Sequence, residues 1–414
     1  MDEWPREVTT PLKYLARVIV GQAPPSGAVT DLRSGLAFVQ GNAEFGPVHP
    51  RPTLECDRAP KVAEKGDILL SVRAPVGAIN VADQALGIGR GLAAIRPNAD
   101  TDGRYLRYVL SSSISSLRSF ATGTTYEAIT ADDISGLVVP RVSADQQRRI
   151  ADFLDDQVAR IDNIIAARRM QIALVTAARQ VEVISRLLAG GDLTGSASAA
   201  WYRNLPSSWP VRPLRAAWQV IDCKHRTPAY VRVGYPVVSP GDISPAPLDF
   251  QRCHRFVDEA DYADLADALR RCRLGDIVYS RNASAGTAAL VTTDEPFTMG
   301  QDVCRITSAR HSQRYLYYVL NFAVSPQLEA ARVGSTFTRI NIDEIKSLRV
   351  PVPPDSEQER ISNGVDRLIA EFVAILATES RQITLMEELK RSLITAAVTG
   401  EFEVSTADGS RALG

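Results

Sequence analysis

The stretch Gln147-Arg148-Arg149-Ile150 returns as Gln358-Glu359-Arg360-Ile361, 211 residues further along the chain. Other short motifs return in the same order at nearly the same interval: Gly66-Asp67-Ile68 with Gly275-Asp276-Ile277, Arg104–Leu110 with Arg314–Leu320, Gly123–Tyr126 with Gly334–Phe337, and Val139-Pro140 with Val350-Pro351. This interval is far above the roughly 20–50 residues of solenoid repeats. The chain is therefore predicted to be a tandem duplication of one domain and the segment that follows it.

The composition is that of an ordinary soluble protein, with 45% hydrophobic residues, 23% charged residues and a net charge of -1 in 414 residues. Five cysteines without a CxxC pair argue against a disulfide framework or a zinc finger. With no apolar run long enough for a membrane span and no signal pattern at Met1, we expect a bacterial or archaeal cytoplasmic protein. Only six of the 47 basic residues are lysine, and this arginine excess fits either codon bias or guanidinium contacts with DNA.

Each copy is predicted to be a compact, loop-rich α+β domain. Short apolar runs at 67–71, 92–95, 276–280 and 302–306 have the length of strands, and helices are expected at Arg104–Phe120 and Arg314–Ala331. The expected boundaries are a first domain at 1–140, a helix at 141–190, a linker at 191–208, a second domain at 209–352, a second helix at 353–400 and a tail at 401–414.

The closing segment of each copy has the pattern of a long helix. Ser143–Gln146 and Ser356–Glu359 fit the capping-box pattern, and Gly190 and Gly400 mark the ends. Apolar residues follow heptads: Ile361, Leu368, Ile375, Leu389, Val365, Phe372, Met386 and Leu393 in the second helix, and Ile150, Leu154, Ile161, Ile164, Val175 and Ala178 in the first. A forty-residue helix is about 60 Å long, too long for one domain to cover. The two helices are therefore expected to form an antiparallel coiled coil, although each could instead pack on its own domain.

Motifs for catalysis are absent from the sequence. No GK[ST] phosphate loop, HExxH motif or nucleophile elbow occurs, and the four histidines are scattered. Gly87-Ile-Gly-Arg-Gly91 resembles a glycine-rich nucleotide loop, but it precedes a predicted strand rather than opening a helix. A self-sufficient nuclease or methyltransferase is therefore not indicated, and no cofactor or metal is expected on this chain.

The duplicated pattern G-[ST]-T…I…[DE]-I…V-P…Q-x-R-I, followed by a long helix, resembles the specificity subunit of type I restriction–modification systems. The stretch Ile221–Pro228 with Tyr235–Ile243 is also similar to one recurrent class of target recognition domain, whereas Gly21–Ser26 departs from that class. The resemblance implies two target recognition domains that each bind one half of a split DNA target. It further implies two modification subunits, which carry S-adenosylmethionine, and restriction subunits, which use ATP and Mg.

The candidate DNA contacts are polar or aromatic side chains on loops. In the second copy they include the loop cluster Lys224, His225, Arg226 and Thr227, although His225 fits a hydrogen-bonded loop histidine equally well. Arg73, and likewise Arg281 and Asn282, follow the Gly-Asp-Ile strands, and Arg90 and Gln301 occupy matched positions. The repeated turns contribute Thr124, Thr125, Tyr126, Thr336, Phe337 and the nearby Arg339. The turn aromatics could instead be core residues, and the pairs Tyr105/Tyr108 and Tyr315/Tyr318 are predicted to be core.

The sequence leaves two classes of function open. The first is a DNA specificity subunit, and the second is a coiled-coil adaptor that binds proteins without recognising DNA. A footprint on DNA that is split into two protected segments would separate them, because the adaptor predicts none.

The polar interruptions of the heptads give a test of the helix register. Arg168 and Glu379 are equivalent positions in the two helices, so pseudo-two-fold symmetry predicts that they face each other. Arg168→Glu should then lower the free energy of unfolding several times more than the exchange Arg168→Glu/Glu379→Arg, because the single reversal leaves like charges together. Chemical denaturation of both variants measures this, and a double variant no better than the singles would reject the register.

Overall fold

The protein is described by a computed structural model that covers residues 9–120, 128–193, 201–332 and 339–404. It forms two compact units: unit 1 consists of Met1–Arg169 with Ser380–Gly414, and unit 2 of Met170–Glu379. The division runs through both long helices, so each unit contains one copy of the repeated domain and one half of each helix.

The repeated domain of unit 1 has eleven short strands and three short helices in its described residues. These are β1 (Thr9–Pro11), β2 (Ala16–Val20), β3 (Thr30–Asp31), β4 (Ala37–Val39), β5 (Leu54–Glu55), β6 (Val62–Ala63), β7 (Ile68–Ser71), β8 (Ile79–Val81), β9 (Leu86–Ile88), β10 (Leu92–Pro97), α1 (Gly103–Ser112), α2 (Ile114–Ser119), α3 (Ala131–Ser135) and β11 (Val138–Pro140). The first long helix, α4 (Ala144–Leu187), follows.

An antiparallel sheet in the order β2-β10-β7-β8 is the centre of this domain. Ile68 and Leu70 face the core shared with the helices, while Leu69 faces a second core under the sheet β3-β5-β4-β9-β6. Because β7 is covered on both faces, its sequence is a continuous apolar run rather than an alternating one.

Unit 2 repeats this plan. Its elements are β12 (Asp192–Leu193), β13 (Tyr202–Arg203), β14 (Val211–Pro213), β15 (Gln219–Asp222), β16 (Tyr235–Val238), β17 (Phe256–Val257), α5 (Glu259–Leu265), β18 (Ile277–Ser280), β19 (Ala288–Leu290), β20 (Thr298–Met299), β21 (Val303–Thr307), α6 (Gln313–Phe322), α7 (Ser325–Arg332), α8 (Ile342–Ser347), β22 (Arg349–Pro351) and α9 (Asp355–Thr399). The sheet β15-β21-β18-β19 corresponds to β2-β10-β7-β8.

The two copies diverge mainly in the segment between β2 and β7 of unit 1 and the corresponding segment between β15 and β18 of unit 2. Unit 1 has the five-stranded sheet there, and unit 2 has the sheet β17-β16-β20 with α5. The difference lies in the part of the first copy whose sequence departs from the recognition-domain pattern. In both copies, however, one parallel strand pair remains, β4 with β9 and β16 with β20.

The prediction of one helix at 104–120 and another at 314–331 is wrong in detail. Each region forms two helices, with breaks at Ser113 and Ala323. The side-chain hydroxyl of Ser113 donates to the carbonyl of Val109, a local bond that competes with helix continuation. Tyr105 and Tyr315 are buried core residues, as expected.

The repeated Gly-Asp-Ile motif holds a buried ion pair. The carboxylate of Asp67 accepts hydrogen bonds from Arg96 Nε and Nη2 at 2.9 and 2.8 Å, and Asp276 accepts one from Arg305 Nε at 2.6 Å. In each copy the arginine comes from the adjacent strand, β10 or β21. The glycine before each aspartate has a positive φ, 90° at Gly66 and 88° at Gly275, a conformation that favours glycine.

The repeated glutamine of the Q-x-R-I motif fastens each long helix to its own domain. Gln147 Oε1 accepts from the backbone N of Asp102, and Gln358 Oε1 accepts from the backbone N of Ser312, both at 2.8 Å. The amide nitrogen of Gln358 also donates to the Pro353 carbonyl at 2.8 Å. Both glutamines are buried, which explains why this residue returns in both copies.

The helix ends follow the sequence with one exception. Ser143 and Gln146 exchange hydrogen bonds at the start of α4, as the capping-box pattern predicts. The predicted box at Ser356 is wrong, because α9 begins at Asp355 and the Pro354 carbonyl accepts from Glu357 N and Gln358 N. Gly190 and Gly400 have φ values of 87° and 79°, which fit helix-ending glycines.

Within each unit, the halves of α4 and α9 run antiparallel. In unit 1, Asp162 pairs with Lys390 at 2.6 Å and Arg169 with Glu387 at 2.9 Å. In unit 2, the Arg179 guanidinium lies 4.4 Å from the ring centre of Phe372. The apolar ends of both helices are buried in the domain cores, for example Leu154 with Val398 in unit 1 and Leu187 with Val365 in unit 2. This confirms the predicted antiparallel pairing of the helices.

The central part of the predicted heptad seam is less buried than expected. Ile165 rather than Ile164 is buried in α4, and Ile375 and Leu389 of α9 are 48% and 42% exposed. Arg168 belongs to unit 1 and Glu379 to unit 2, and their predicted pairing stays a prediction.

Within the described ranges, no helix combines the length and the apolar character that a membrane crossing requires.

The buried glutamine gives a test of how the helices are fastened. Gln358→Met should lower the stability of unit 2 by about 1–3 kcal/mol, because the Ser312 N–H and the Pro353 carbonyl lose their partner. Urea denaturation followed by tryptophan fluorescence measures this, since Trp201, Trp209 and Trp218 lie in unit 2. The exposed Gln251→Met is the control, and equal midpoints for the two variants would contradict the fastening role.

Candidate nucleic-acid interface

Equivalent strand ends carry the candidate residues in both units. The backbone N of Val72 donates to the Gly91 carbonyl at 2.9 Å, and that of Arg281 donates to the Asp302 carbonyl at 2.8 Å. The carbonyls of Val72 and Arg281 in turn accept from Ile129 N and Ile340 N. The backbone therefore places Arg73 beside Arg90 in unit 1, and Asn282 beside Gln301 in unit 2, at the same edge of the sheet.

In unit 2, this edge and the loop after β15 form one hydrogen-bonded group. We call it the polar edge, and it consists of Asp222, Lys224, His225, Arg226, Thr227, Arg281, Asn282, Gln301, Asp302 and Arg339. Gln301 Nε2 donates to Thr227 Oγ1 at 2.8 Å, which connects the strand end to the loop. The structure thus brings together all the described candidates of the second copy.

Two aspartates organise the polar edge. Asp222 forms an ion pair with the Arg281 guanidinium, and His225 Nε2 lies 3.1 Å from its other carboxylate oxygen. Asp302 forms an ion pair with Arg339 Nη2 at 2.7 Å and accepts from Asn282 Nδ2 at 3.2 Å. Neither aspartate was expected from the sequence, because the arginines that they pair with lie 59 and 37 residues away along the chain.

The cations of the loop after β15 are paired with carboxylates on α5. Lys224 Nζ contacts Asp264 Oδ1, Arg226 Nη2 contacts Asp261 Oδ1, and Arg226 Nε lies 3.0 Å from Asp264 Oδ2. The hydrogen bond from Lys224 and the attraction of both cations hold the pKa of the Asp264 carboxyl below its usual value, so it is ionised at neutral pH. The polar edge therefore presents cations that are already oriented. Asp261 and Asp264 were also missed from the sequence.

The structure places Arg281 inside the domain rather than on its surface. Its side chain is 4% exposed, its Nη1 is paired with Asp222, and its Nε donates to the Ile340 carbonyl at 3.2 Å. Arg281 was expected to contact a base. It occupies the position of the buried Val72 in unit 1, and in both copies the first residue after the strand points inward. A contact with a base would require this ion pair to break.

The same comparison explains the partner of Arg281. Val20 pairs with Ala93 in unit 1, and Asp222 pairs with the equivalent Cys304 in unit 2. The positions of Val20 and Val72, which belong to the same apolar core in unit 1, thus hold the ion pair of Asp222 and Arg281 in unit 2. The charged pair fixes the start of the loop that carries Lys224, His225, Arg226 and Thr227.

The candidates of unit 1 are more open. Arg73 and Arg90 are exposed, and within the described part of the chain neither side chain forms an ion pair. Gly87–Gly91 joins β9 to β10 and opens no helix, so the structure gives no support to a nucleotide loop. Its glycines permit close backbone contacts instead, since a Cβ on Gly91 would lie 2.7 Å from the Gln40 carbonyl oxygen.

Five candidates lie outside the described residues: Thr124, Thr125, Tyr126, Thr336 and Phe337. Their contacts with DNA stay predictions. Tyr108 and Tyr318, which were predicted to be core, are buried and donate their hydroxyls to Asp155 and Asp366 at the starts of the long helices.

The cysteines do not form a reactive site in this structure. All five thiols are free, and four of them are buried. Burial raises the pKa of Cys253 and of Cys272 to about 12, which keeps both thiols protonated at neutral pH. In the ranges that the structure describes, no group of three or more metal-ligating side chains is assembled.

Comparisons with known proteins agree with the duplicated plan. The family model described as "Type I restriction modification DNA specificity domain" matches residues 56–173 and 270–385, which together are more than half of the chain. The chain is 35% identical over 179 residues to a putative type I restriction enzyme MjaX specificity subunit of Methanocaldococcus jannaschii, covering 43% of this chain and 41% of that relative's length. It is 19% identical over 363 residues to the MjaIX specificity subunit of the same organism, covering 83% and 79% of the two chains.

Two solved structures share the fold. One, from work on complex assembly and conformational transition of the type I R-M system, has a TM-score of 0.72 and 17% identity over 97% of this chain and 100% of the other. The other is the HsdS subunit of Thermoanaerobacter tengcongensis, with a TM-score of 0.51 and 17% identity over 95% and 97% of the two chains.

The contribution of the Asp222–Arg281 ion pair to the stability of unit 2 can be tested directly. Arg281→Val should destabilise unit 2 by about 3 kcal/mol, because it leaves the mostly covered Asp222 carboxylate without its cation. The double variant Asp222→Val/Arg281→Val places the residues of unit 1 at both positions and leaves no unpaired charge, so it should be more stable than Arg281→Val. Urea denaturation monitored by tryptophan fluorescence compares them. If the double variant were as unstable as Arg281→Val, the loss of stability would not come from the unpaired Asp222 carboxylate.

Proposed function

The chain belongs to the family of type I restriction–modification DNA specificity domains, and from this membership we propose that it recognises a split DNA target with one half-site for each unit. The observation that carries the proposal is the pair of equivalent sheet edges. Both units have the same backbone hydrogen bonds there, but different side chains: Arg73 and Arg90 in unit 1, Asn282 and Gln301 in unit 2. A constant frame with different side chains is what two different half-sites require.

The chemistry of the polar edge suits base recognition better than general attraction to phosphates. Arginine can bind guanine through two hydrogen bonds, and asparagine or glutamine can bind adenine in the same way. The net charge of the chain is -1, and in unit 2 the cations Lys224, Arg226 and Arg339 are each paired with a carboxylate, which weakens attraction to phosphates. In unit 1, Arg73 and Arg90 would supply the contacts with bases.

The long helices support a second role, as the scaffold for partner subunits. In unit 1, Ile164 and Leu389 are large apolar side chains left exposed on the helices, and in unit 2 so are Leu174, Val181 and Ile375. Burial of these side chains against a partner would stabilise a complex. We infer that modification subunits bind here and bring S-adenosylmethionine and methyl transfer. Restriction subunits, with ATP and Mg, would join the larger complex in the cytoplasm.

Domain exchange tests the proposed function. Replacing residues 209–352 with the equivalent region of a relative of different specificity should change one half of the methylated target and leave the other half and the gap unchanged. Methylation mapping of DNA modified by the chain with its modification subunits measures this, and exchange of residues 1–140 is the matched control for the other half. A change in both half-sites would reject independent recognition. The absence of any split motif with the original chain would instead favour an adaptor without DNA recognition.

A further inference from the structure

Arg226 is held by two carboxylates that are themselves fixed. Asp261 contacts Arg226 Nη2 with one oxygen and accepts from the backbone N of Ala229 with the other, at 3.2 Å. Its own backbone N donates to Asp258 Oδ1, the N-cap of α5, at 2.8 Å. Asp264, one turn of helix further along, contacts Arg226 Nε and Lys224 Nζ. The two aspartates therefore bind the loop 224–229 from one side through ion pairs and a backbone hydrogen bond.

These contacts use one edge of the Arg226 guanidinium and leave a second edge available for a ligand. The Nε–Nη2 edge faces α5, while Nη1 forms no hydrogen bond or ion pair with the described residues, and the Arg226 side chain remains 42% exposed. A guanidinium can present Nη1 and Nη2 together as a second, parallel pair of donors. That pair matches the O6 and N7 acceptors of guanine in the major groove.

We propose that Asp261 and Asp264 are positioning residues that hold Arg226 as a guanine-recognising side chain in the half-site bound by unit 2. The inference rests on the proposed function. An arginine that is already oriented loses less side-chain entropy when it binds, so its two hydrogen bonds contribute more to discrimination between bases.

The same carboxylates disfavour an alternative role for Arg226. A phosphate that approached the Nε–Nη2 edge would meet two negative charges, and repulsion would oppose that contact. An arginine meant for the backbone alone needs no such neighbours, because phosphate contacts carry no sequence information. Asp261 and Asp264 thus direct the arginine towards bases and lower the affinity of the edge for unrelated DNA.

The decisive experiment compares the base position affected by two kinds of variant. Asp261→Asn/Asp264→Asn keeps the shape of the two side chains but removes their charge, and Arg226→Ala removes the guanidinium. Each full-length variant is assembled with its modification subunits. Methylation mapping gives the motif, and fluorescence anisotropy gives the Kd for three duplexes: the mapped motif, its single-base variants and an unrelated sequence.

A matched control neutralises two surface carboxylates of unit 2 that lie outside the polar edge, one exposed and one partly exposed. Asp343→Asn/Glu357→Gln removes the same charge and breaks the pairs with Lys346 and Arg360. Tryptophan fluorescence during urea denaturation checks that each variant is folded. Any effect of charge alone on DNA affinity will appear in this control.

We expect Arg226→Ala and the double aspartate variant to lose discrimination at the same G·C pair, by about 5- to 150-fold in the ratio of Kd values. The aspartate variant should also bind the unrelated duplex more tightly than the control does. Loss at different positions, or no loss with Arg226→Ala, would overturn the proposal. Equal tightening on motif and unrelated duplexes would also overturn it, since the carboxylates would then only compete with phosphates. If the original chain yields no motif, the proposed function itself fails.

Discussion

The rest of this structure depends on how the apolar surfaces of the two long helices are buried. A helix of 44 residues presents more apolar surface than the domain before it can cover. The first half of α4 is buried beside its own domain at Leu154, and its last turns are buried in unit 2 at Leu187. Helix α9 does the reverse, with Val365 in unit 2 and Val398 in unit 1. The core of each unit therefore contains a segment of the long helix that follows the other copy of the repeat.

Within each unit, the parts that repeat and the parts that vary have different physical roles. The pairs Asp67 with Arg96 and Asp276 with Arg305 close the same end of the sheet in both copies, and Gln147 and Gln358 fasten the same helix start. At the opposite end of the strands, equivalent positions hold Val20 and Val72 in one copy and the ion pair of Asp222 and Arg281 in the other. The frame therefore keeps the same backbone hydrogen bonds while the side chains at this edge change.

The sequence predicted the frame well and the site less well, for a physical reason. Helix periodicity, glycine stops and duplicated motifs are local signals, so α4, α9 and the central strands were found close to their true bounds. The break at Ser113 was missed because it depends on one side-chain hydroxyl. Arg281 was expected on the surface, since its inward direction depends on Asp222, 59 residues away along the chain. Long-range pairs of this kind leave no periodic trace in a single sequence.

Under the proposed function, the pairing of cations with carboxylates also bears on how a nearly neutral chain would select a DNA sequence. Affinity for any DNA sequence comes mainly from cations that displace counterions from phosphates. In unit 2, Lys224, Arg226 and Arg339 all have carboxylate partners, so this general attraction is weakened where the candidate base contacts lie. Under the proposed function, hydrogen-bond geometry at this edge would then discriminate between bases. Such an edge would give up affinity for DNA in general and, in return, would lose more affinity when the base is wrong.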